Sequence, residues 1–395
     1  MGIKGLMKLL QEEAPSCIKE VEKMSALAGR AVAIDASMAL YQFLIAIRSN
    51  DGGGGPAQAL TNADGEVTSH LQGMFSRTIR MMENGLKPVY VFDGKPPVMK
   101  SGELAKRSDR RATAQKGLEE ATESGNTEDI DRFNKRLVRA TPQHNEDCKQ
   151  LLRLMGVPLI TAPCEAEASC AELAKSGRIY AAGTEDMDAL TFGVPVLYRR
   201  LTVSPAKKVP ILEIRLERAL EELQLTQEQF VDLCILCGCD YCDSIRGVGP
   251  KKAFAGIKEH KSIENFVAAL QKSKSKGVVI PDEWLGETPI YKSAREMFVQ
   301  PEVVDAKEVE LKWRDPQETE LLEFLVTKHG FKEDRVLSAI ARLKKSKGTQ
   351  SQKRLDSFFT VLPSAPGSAM KRKAPATVAK GGKKTGATSA KKGKK

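Results

Sequence analysis

Short apolar runs that lead into acids recur along this chain: Ala31 to Ile34 before Asp35, Pro88 to Phe92 before Asp93, and Ile179 to Ala182 shortly before Glu185, Asp186 and Asp188. A brief run without polar alternation fits a strand covered on both faces, the usual condition of a parallel sheet. The amphipathic stretches Thr68 to Asn84 and His144 to Met155 read as intervening helices. This alternation predicts an α/β fold with a mostly parallel, twisted sheet and helices on both faces. Ligands of such sheets bind beyond the carboxyl ends of the strands, where these acids fall.

At 395 residues and 41% hydrophobic, the chain can bury a substantial core. Its net charge of +11 is concentrated at one end: the stretch Lys371 to Lys395 holds ten of the 62 bases and no acid, leaving 52 bases against 51 acids elsewhere. A near-neutral body binds a polyanion only if its charges are segregated into patches. Eight cysteines and no apolar leader (Glu12 and Glu13 interrupt it) point to free thiols in a reducing compartment. No run is long enough to span a bilayer, so no membrane association is expected.

Five segments follow from the composition: a first region over 1–111, a highly charged insert over 100–141, a second region over 142–270, a helical part over 271–345 and a tail over 346–395. Gly125 and Asn126 divide the insert into two helical stretches poor in large apolar residues. From Arg215 to Arg342 the pattern is helical, with Trp284 and Trp313 as expected anchors of a smaller α-rich lobe. The tail is basic and of the composition of disordered segments.

Seven acids stand at positions suited to one site: Asp35 and Asp93 after strands, Glu165 and Glu167 at a helix start, Asp186 and Asp188 after another strand, and Asp240. Hard divalent cations want oxygen ligands, and a pair of them roughly 3.5–4 Å apart activates water and stabilises the leaving oxygen of a phosphodiester. So many carboxylates in one cleft are costly without counter-ions. A single acid after a strand is equally well a helix cap, and an aspartyl phosphatase with the first acid of D-x-D as nucleophile also places acids at strand ends.

The motifs Met1-Gly-Ile-Lys-Gly-Leu6, Ala33-Ile-Asp-Ala-Ser37, Val89-Tyr-Val-Phe-Asp-Gly-Lys-Pro-Pro97, Glu165-Ala-Glu-Ala168, Ala182-Gly-Thr-Glu-Asp-Met-Asp188 and Gly238-Cys-Asp-Tyr241 follow one another in order. In this the chain resembles the eukaryotic flap endonucleases of the xeroderma pigmentosum group G nuclease family, from Met1 to about Phe359. The resemblance implies a PIN-like 5′ nuclease core, cutting of branched DNA with a 5′ flap and 5′→3′ exonuclease action. It also implies roles in Okazaki fragment maturation and long-patch base excision repair. Two Mg²⁺ ions, with Mn²⁺ as substitute, fall to Asp35, Asp93, Glu165 and Glu167 for the first and to Asp186, Asp188 and Asp240 for the second.

By the same resemblance the insert is a helical arch, and Lys100 and Arg107 contact the scissile phosphate, with Asp188 the third catalytic residue. From the pattern alone, Lys100, Arg107, Arg110 and Arg111 also fit a solvated helix. Gly247-Val-Gly-Pro-Lys-Lys-Ala253 offers backbone N–H groups to a phosphate or is an ordinary helix-joining turn. The resemblance makes it part of a helix-turn-helix that grips duplex DNA, with a K⁺, through Gly247, Gly249, Lys251 and Lys252. Tyr41 becomes a base-stacking platform, with Arg48, Arg77, Arg80, Glu165, Gly238 and Asp240 as further DNA-binding positions. A rival reading is a non-catalytic DNA-binding module on the same fold.

Cys234, Cys237, Cys239 and Cys242 raise a zinc or iron–sulfur site, but only Gly238 separates the two pairs, and packing accounts for them equally. In the resembled family Cys237 and Cys239 replace the more frequent Leu and Ser, and Gly52 to Gly55 is an insertion. Gln352, Leu355, Phe358 and Phe359 have the spacing Q-x-x-L-x-x-F-F of a one-turn helix for an apolar groove. This matches the peptide that binds the sliding clamp, proliferating cell nuclear antigen. The expected state is a monomer, and the basic end implies the nucleus (nucleoplasm and nucleolus), with the mitochondrion as a second address.

Overall fold

In the computed structural model, residues 2–48, 68–203, 207–273 and 277–348 are described. The clamp-binding residues Gln352, Leu355, Phe358 and Phe359, the basic end, the Gly52 to Gly55 insertion and the side chain of Arg48 lie outside the described residues.

Seven strands form one sheet: β1 (Ile18–Val21), β2 (Ala31–Asp35), β3 (Lys87–Phe92), β4 (Leu159–Thr161), β5 (Ala181–Gly183), β6 (Val196–Arg199) and β7 (Ile211–Arg215). Their order is β1-β7-β6-β5-β2-β3-β4. The five strands from β6 to β4 are parallel, and β7 runs antiparallel to both β6 and β1. From β2 the chain first adds β3 and β4 on one side, then β5 and β6 on the other. The order therefore reverses beside β2, and the resulting crevice is where doubly wound sheets bind ligands.

Alternate residues of β2 and β3 face opposite cores. Ala33, Val89 and Val91 join one cluster, with the helices Ala166–Lys175, Gln227–Cys237, Pro250–His260 and Ile290–Val299. Val32, Ile34, Tyr90 and Phe92 join the other, with the helices Ser69–Glu83, Pro142–Leu154 and Glu333–Gly348. Since both faces are covered, these strands carry apolar residues at every position rather than at every second one. Tyr90 is fully buried, and its hydroxyl meets Thr78 Oγ1 at 2.7 Å.

The helices after β7 do not form a detached lobe. Trp284 packs on Tyr291 in the same core cluster as the sheet. Trp313, expected to anchor that lobe, instead donates its indole N–H to the Pro88 carbonyl of β3 at 2.9 Å. It belongs to an irregular strap beyond Val299 that includes Arg314, whose N–H reaches Gly156 O at 2.8 Å. The last helix, Glu333–Gly348, runs past the expected boundary at 345 and packs on the second face.

The charged insert is a helical hairpin, Ser101–Glu123 and Thr127–Arg136. Its turn uses Gly125 at φ +67° and Asn126, whose side chain caps the second helix through Asp129 N–H. Only Ala114 and Ala121 of its first helix are buried. No helix among the described residues is long and apolar enough to cross a membrane.

His70 is 1% exposed, its Nε2 lies 3.4 Å from Asp147 Oδ2, and its Nδ1 is buried without a partner. Burial, then His144, pushes it down to about 4, with His329 acting in the same direction and Asp147 against. Below the free value near 6.5 the unfolded chain gains a proton that the folded chain refuses until about pH 4, so stability falls across that window. Urea melts between pH 7.5 and pH 5 should show a loss of up to about 2 kcal/mol, reduced by at least half in His70→Gln, which retains a donor for Asp147. Equal slopes for the two proteins would assign the loss to other groups.

Candidate active site

The carboxyl ends of β5, β2 and β3 lie on one edge of the sheet, with Ile34 level with Gly183 and Asp35 level with Val91. Asp35 ends β2, Asp93 follows β3, and Asp186 follows β5 after a two-residue turn. Beyond β4, Glu165 caps and Glu167 enters the helix Ala166–Lys175, while Asp188 opens a short helix. Asp240 lies two residues past Gly238, which ends the helix Gln227–Cys237 at φ +110°.

Hydrogen bonds fix several of these acids. Asp35 accepts from Met38 N–H and from Thr184 Oγ1, both at 2.9 Å. The same Thr184 hydroxyl accepts Asp186 N–H at 3.1 Å, and Asp186 Oδ1 accepts Asp188 N–H at 3.0 Å. Asp93 accepts Ala166 N–H at 2.8 Å, at the start of the helix that carries Glu167. Glu165 accepts from the Tyr241 hydroxyl and from Lys100. Lys100 Nζ also lies 3.3 Å from Asp240 Oδ2, which Arg107 Nη2 approaches to 2.6 Å.

The acids are electrostatic neighbours. Asp35, Glu165, Asp186 and Asp188 are each 3–7% exposed, too buried to be screened by water. Burial, then Asp93, pushes the Asp35 carboxyl up to about 7. Glu167 is driven well above the usual carboxylate range by burial and by Asp35, Asp93, Asp186 and Glu165. Asp188 is driven the same way by burial, Asp186 and Asp240, with Lys100 opposing. Burial works against charge on Lys100, but Glu165, Glu167 and Asp240 outweigh it and hold the ammonium protonated.

Asp186 thus acts on Asp35, on Glu167 and on Asp188 through its charge. Among the described residues no three Asp, Glu, His or Cys side chains close around a point as they stand. Lys100 and Arg107 occupy two of their oxygens, Glu165 Oε1 and Asp240 Oδ2, the second of which they share. Asp188 Oδ1 is nevertheless buried without any hydrogen-bond partner. An orphaned anionic oxygen in an all-oxygen, acid-rich cleft fits a hard divalent cation.

Two family models match: the XPG N-terminal domain over residues 1–114 and the XPG I-region over 156–240. The chain is 88% identical over 395 residues to "Flap endonuclease 1" of Phytophthora infestans, covering all of both chains. It is 56% identical over 375 residues to that of Homo sapiens, covering 95% of this chain and 94% of the other. The chain belongs to the flap endonuclease family. The solved flap endonuclease-1 from Methanococcus jannaschii superposes with a TM-score of 0.64 at 31% identity, over 85% of this chain and 97% of that one. The catalytic core of Rad2 in complex with DNA substrate shares the fold at a TM-score of 0.65 and 24% identity, over 87% of this chain and 100% of that one.

Membership sets aside the aspartyl phosphatase reading of Asp186. The other expected DNA-contacting residues have the following local partners. Tyr41 is half-buried in the helix Ala36–Arg48 and packs at the margin of the second core. Arg77 and Arg80 turn inward, donating to the carbonyls of Thr202 and Val203. Gly249 caps the helix Pro250–His260, and Gly247, at φ +83°, lies so near Gly277 O that a Cβ would sit 2.3 Å from it. Lys252 is hydrogen-bonded to Gly247 O at 3.4 Å, and Lys251 is exposed and paired with Glu12 at 2.7 Å. Arg110 bonds Glu103 from an exposed position.

Four contributors were not singled out individually in the sequence. A Cβ on Gly2, at φ +74°, would lie 1.8 Å from Asp186 Oδ1 and 2.2 Å from Asp188 Oδ1. Lys4 N–H donates to Gly238 O at 3.2 Å, and Thr184 and Tyr241 hold acids in place. All four stand inside the quoted motifs, so their positions were flagged while their roles were not. The eight cysteines are all free, and no metal grouping forms among Cys234, Cys237, Cys239 and Cys242.

Because the raised Asp188 carboxyl retains its proton in the fold at pH values where the unfolded chain releases it, its ionisation opposes folding increasingly as pH rises. In EDTA, Asp188→Asn should be at least as stable as the parent at pH 8, with a smaller advantage at pH 6, by denaturant melts. Destabilisation by more than about 1 kcal/mol at pH 8 would show that the carboxylate itself supports the fold.

Proposed function

We propose that this protein is a structure-specific 5′-flap endonuclease with 5′→3′ exonuclease action, acting on branched DNA during Okazaki fragment maturation and long-patch base excision repair. The relatives named flap endonuclease 1 support it, and the observation that carries it here is the pairing of Lys100 and Arg107 with Glu165 and Asp240. These two cations stand at the base of the hairpin, beside the acid cleft, where a phosphodiester carrying the same charge can take over their carboxylate partners.

The acids that would hold divalent cations are Asp35, Asp93, Glu165, Glu167, Asp186, Asp188 and Asp240, and we assign Mg²⁺ with Mn²⁺ as substitute. The chemistry such cations supply when bound is activation of water for in-line attack and stabilisation of the departing 3′ oxygen. The chain's own residues do the positioning. Thr184 fixes Asp35 and Asp186 together, and Tyr241 fixes Glu165. Lys100 and Arg107 neutralise charge developing on the phosphate. The glycine-rich turn at Gly247 to Pro250 offers the duplex a backbone contact independent of base order, and a K⁺ is assigned there. Tyr41 supplies a face for stacking of a base.

Gln352 to Phe359 is proposed as the tether to the sliding clamp, the body acting as a monomer in the nucleus, with the mitochondrion as a second address.

A 5′-flap DNA and its flap-free duplex, each with Mg²⁺ or EDTA, test the reading. The parent should cut the flap only with Mg²⁺, Lys100→Ala should be slower by about 10²-fold or more, and Asp188→Asn should be inactive. Cleavage that is absent, insensitive to EDTA or equal on both substrates rejects it, and flap binding without cleavage selects the non-catalytic alternative. Separately, Phe358→Ala with Phe359→Ala should abolish binding to the clamp in surface plasmon resonance while leaving clamp-free cleavage unchanged. Retained binding removes the peptide from that role.

A further inference from the structure

Asp240 and Tyr241 sit in a four-residue turn bounded by cysteines. Cys239 Sγ and Cys242 Sγ are 3.8 Å apart, and the two residues are only 8% and 9% exposed. Both ends of the turn are pinned. On one side Gly238 N–H bonds the carbonyls of Cys234 and Ile235, and Gly238 O accepts Lys4 N–H at 3.2 Å. On the other the Trp284 indole donates to Asp243 O at 2.7 Å. Between these pins Asp240 holds Arg107 and Lys100, and Tyr241 holds Glu165 while its ring packs on Phe298 with centroids 4.9 Å apart.

We propose that Cys239 and Cys242 form a reversible disulfide under hydroperoxide, a modification site whose closure displaces Asp240 and Tyr241 and slows cleavage. The bond requires a sulfur separation of about 2.05 Å, so the pair must approach by roughly 1.8 Å. Rotation about the two Cα–Cβ bonds supplies part of that approach, and with both flanks held the remainder falls on the backbone of the turn that carries Asp240 and Tyr241. A 1 Å misplacement at a reacting centre costs on the order of 10²-fold in rate.

The chemistry balances with hydrogen peroxide as oxidant. One thiolate attacks a peroxide oxygen, the O–O bond breaks, and the departing hydroxide takes up a proton to leave as water. The resulting sulfenic acid is attacked at sulfur by the second thiolate, and its S–O bond breaks to release a second water. Two thiols and one peroxide become one disulfide and two waters. The reactants are small enough to reach a nearly buried pair, and the partner thiol is already at van der Waals distance, so resolution competes with further oxidation of the sulfenic acid.

The effect on cleavage rests on the proposed nuclease function, whereas formation of the bond does not. The full chain is treated with hydrogen peroxide, mapped by non-reducing peptide mass spectrometry, and assayed for 5′-flap cleavage and, without DNA, for Mn²⁺ affinity by calorimetry. We expect a Cys239–Cys242 cross-link, cleavage 10- to 100-fold slower, weaker Mn²⁺ binding, and recovery of both with dithiothreitol. Cys239→Ser and Cys242→Ser should each retain their activity after the same treatment, and mapping of the parent stands even if either variant folds poorly. Absence of that cross-link, or its formation with Mn²⁺ affinity unchanged, overturns the proposal. If the reduced protein cuts no flap, the functional reading fails while the cross-link and the Mn²⁺ measurement still decide this one.

Discussion

Mutual repulsion among buried carboxylates is the constraint around which this molecule is arranged. Asp35, Glu165, Asp186 and Asp188 are almost inaccessible to water, and the protonation of Asp35, Glu167 and Asp188 is shifted upward by burial and then by their own neighbours. A cluster of this kind is held together from outside: by parallel strands that deliver acids to one edge, by helix N–H groups and the Thr184 hydroxyl, and by Lys100 and Arg107. The cationic pair has the charge needed both to steady the cleft and to receive a phosphodiester. In the proposed function, positioning and substrate binding would be two uses of the same side chains, and substitution of Lys100 would disturb both at once.

The reversal of strand order beside β2 explains why distant segments can share one cleft. Asp35 and Asp186 are separated by 151 positions yet come from neighbouring strands β2 and β5. Their bridge is a single hydroxyl, Thr184, which donates to one and accepts from the backbone of the other. Asp240 needs a different route. It follows a helix that ends at Gly238, whose backbone angle a side chain would strain.

The runs of β2, β3 and β5 and the acids after them were legible because burial on both faces writes an apolar residue at every position and the acid breaks the run, whereas the order of the strands was not. The helical hairpin was legible from its charge and from Gly125 and Asn126. What sequence patterning could not give is direction at close range. Arg77 and Arg80 have the charge of phosphate ligands but turn to loop carbonyls, because a guanidinium half-buried beside a helix meets the nearest acceptor. Trp313 looked like a lobe anchor because large aromatics mark cores, whereas its indole N–H found β3. Gly2 and Tyr241 carried no signal of role: one matters for the side chain it lacks, the other for a hydroxyl on an otherwise ordinary core ring.

The last described helix, Glu333–Gly348, lies on the second face of the sheet, where Val336, Ile340 and Leu343 share a core with Leu71, Met74 and Tyr90. Arg342 fastens it to Glu83 through two bonds of 2.6 and 2.7 Å. During synthesis, the helix Ser69–Glu83 therefore emerges from the ribosome long before the segment that covers it. A nascent chain keeps that apolar face open until the helix Glu333–Gly348 is made, so a product truncated before it exposes a sticky surface and is a natural client for chaperones.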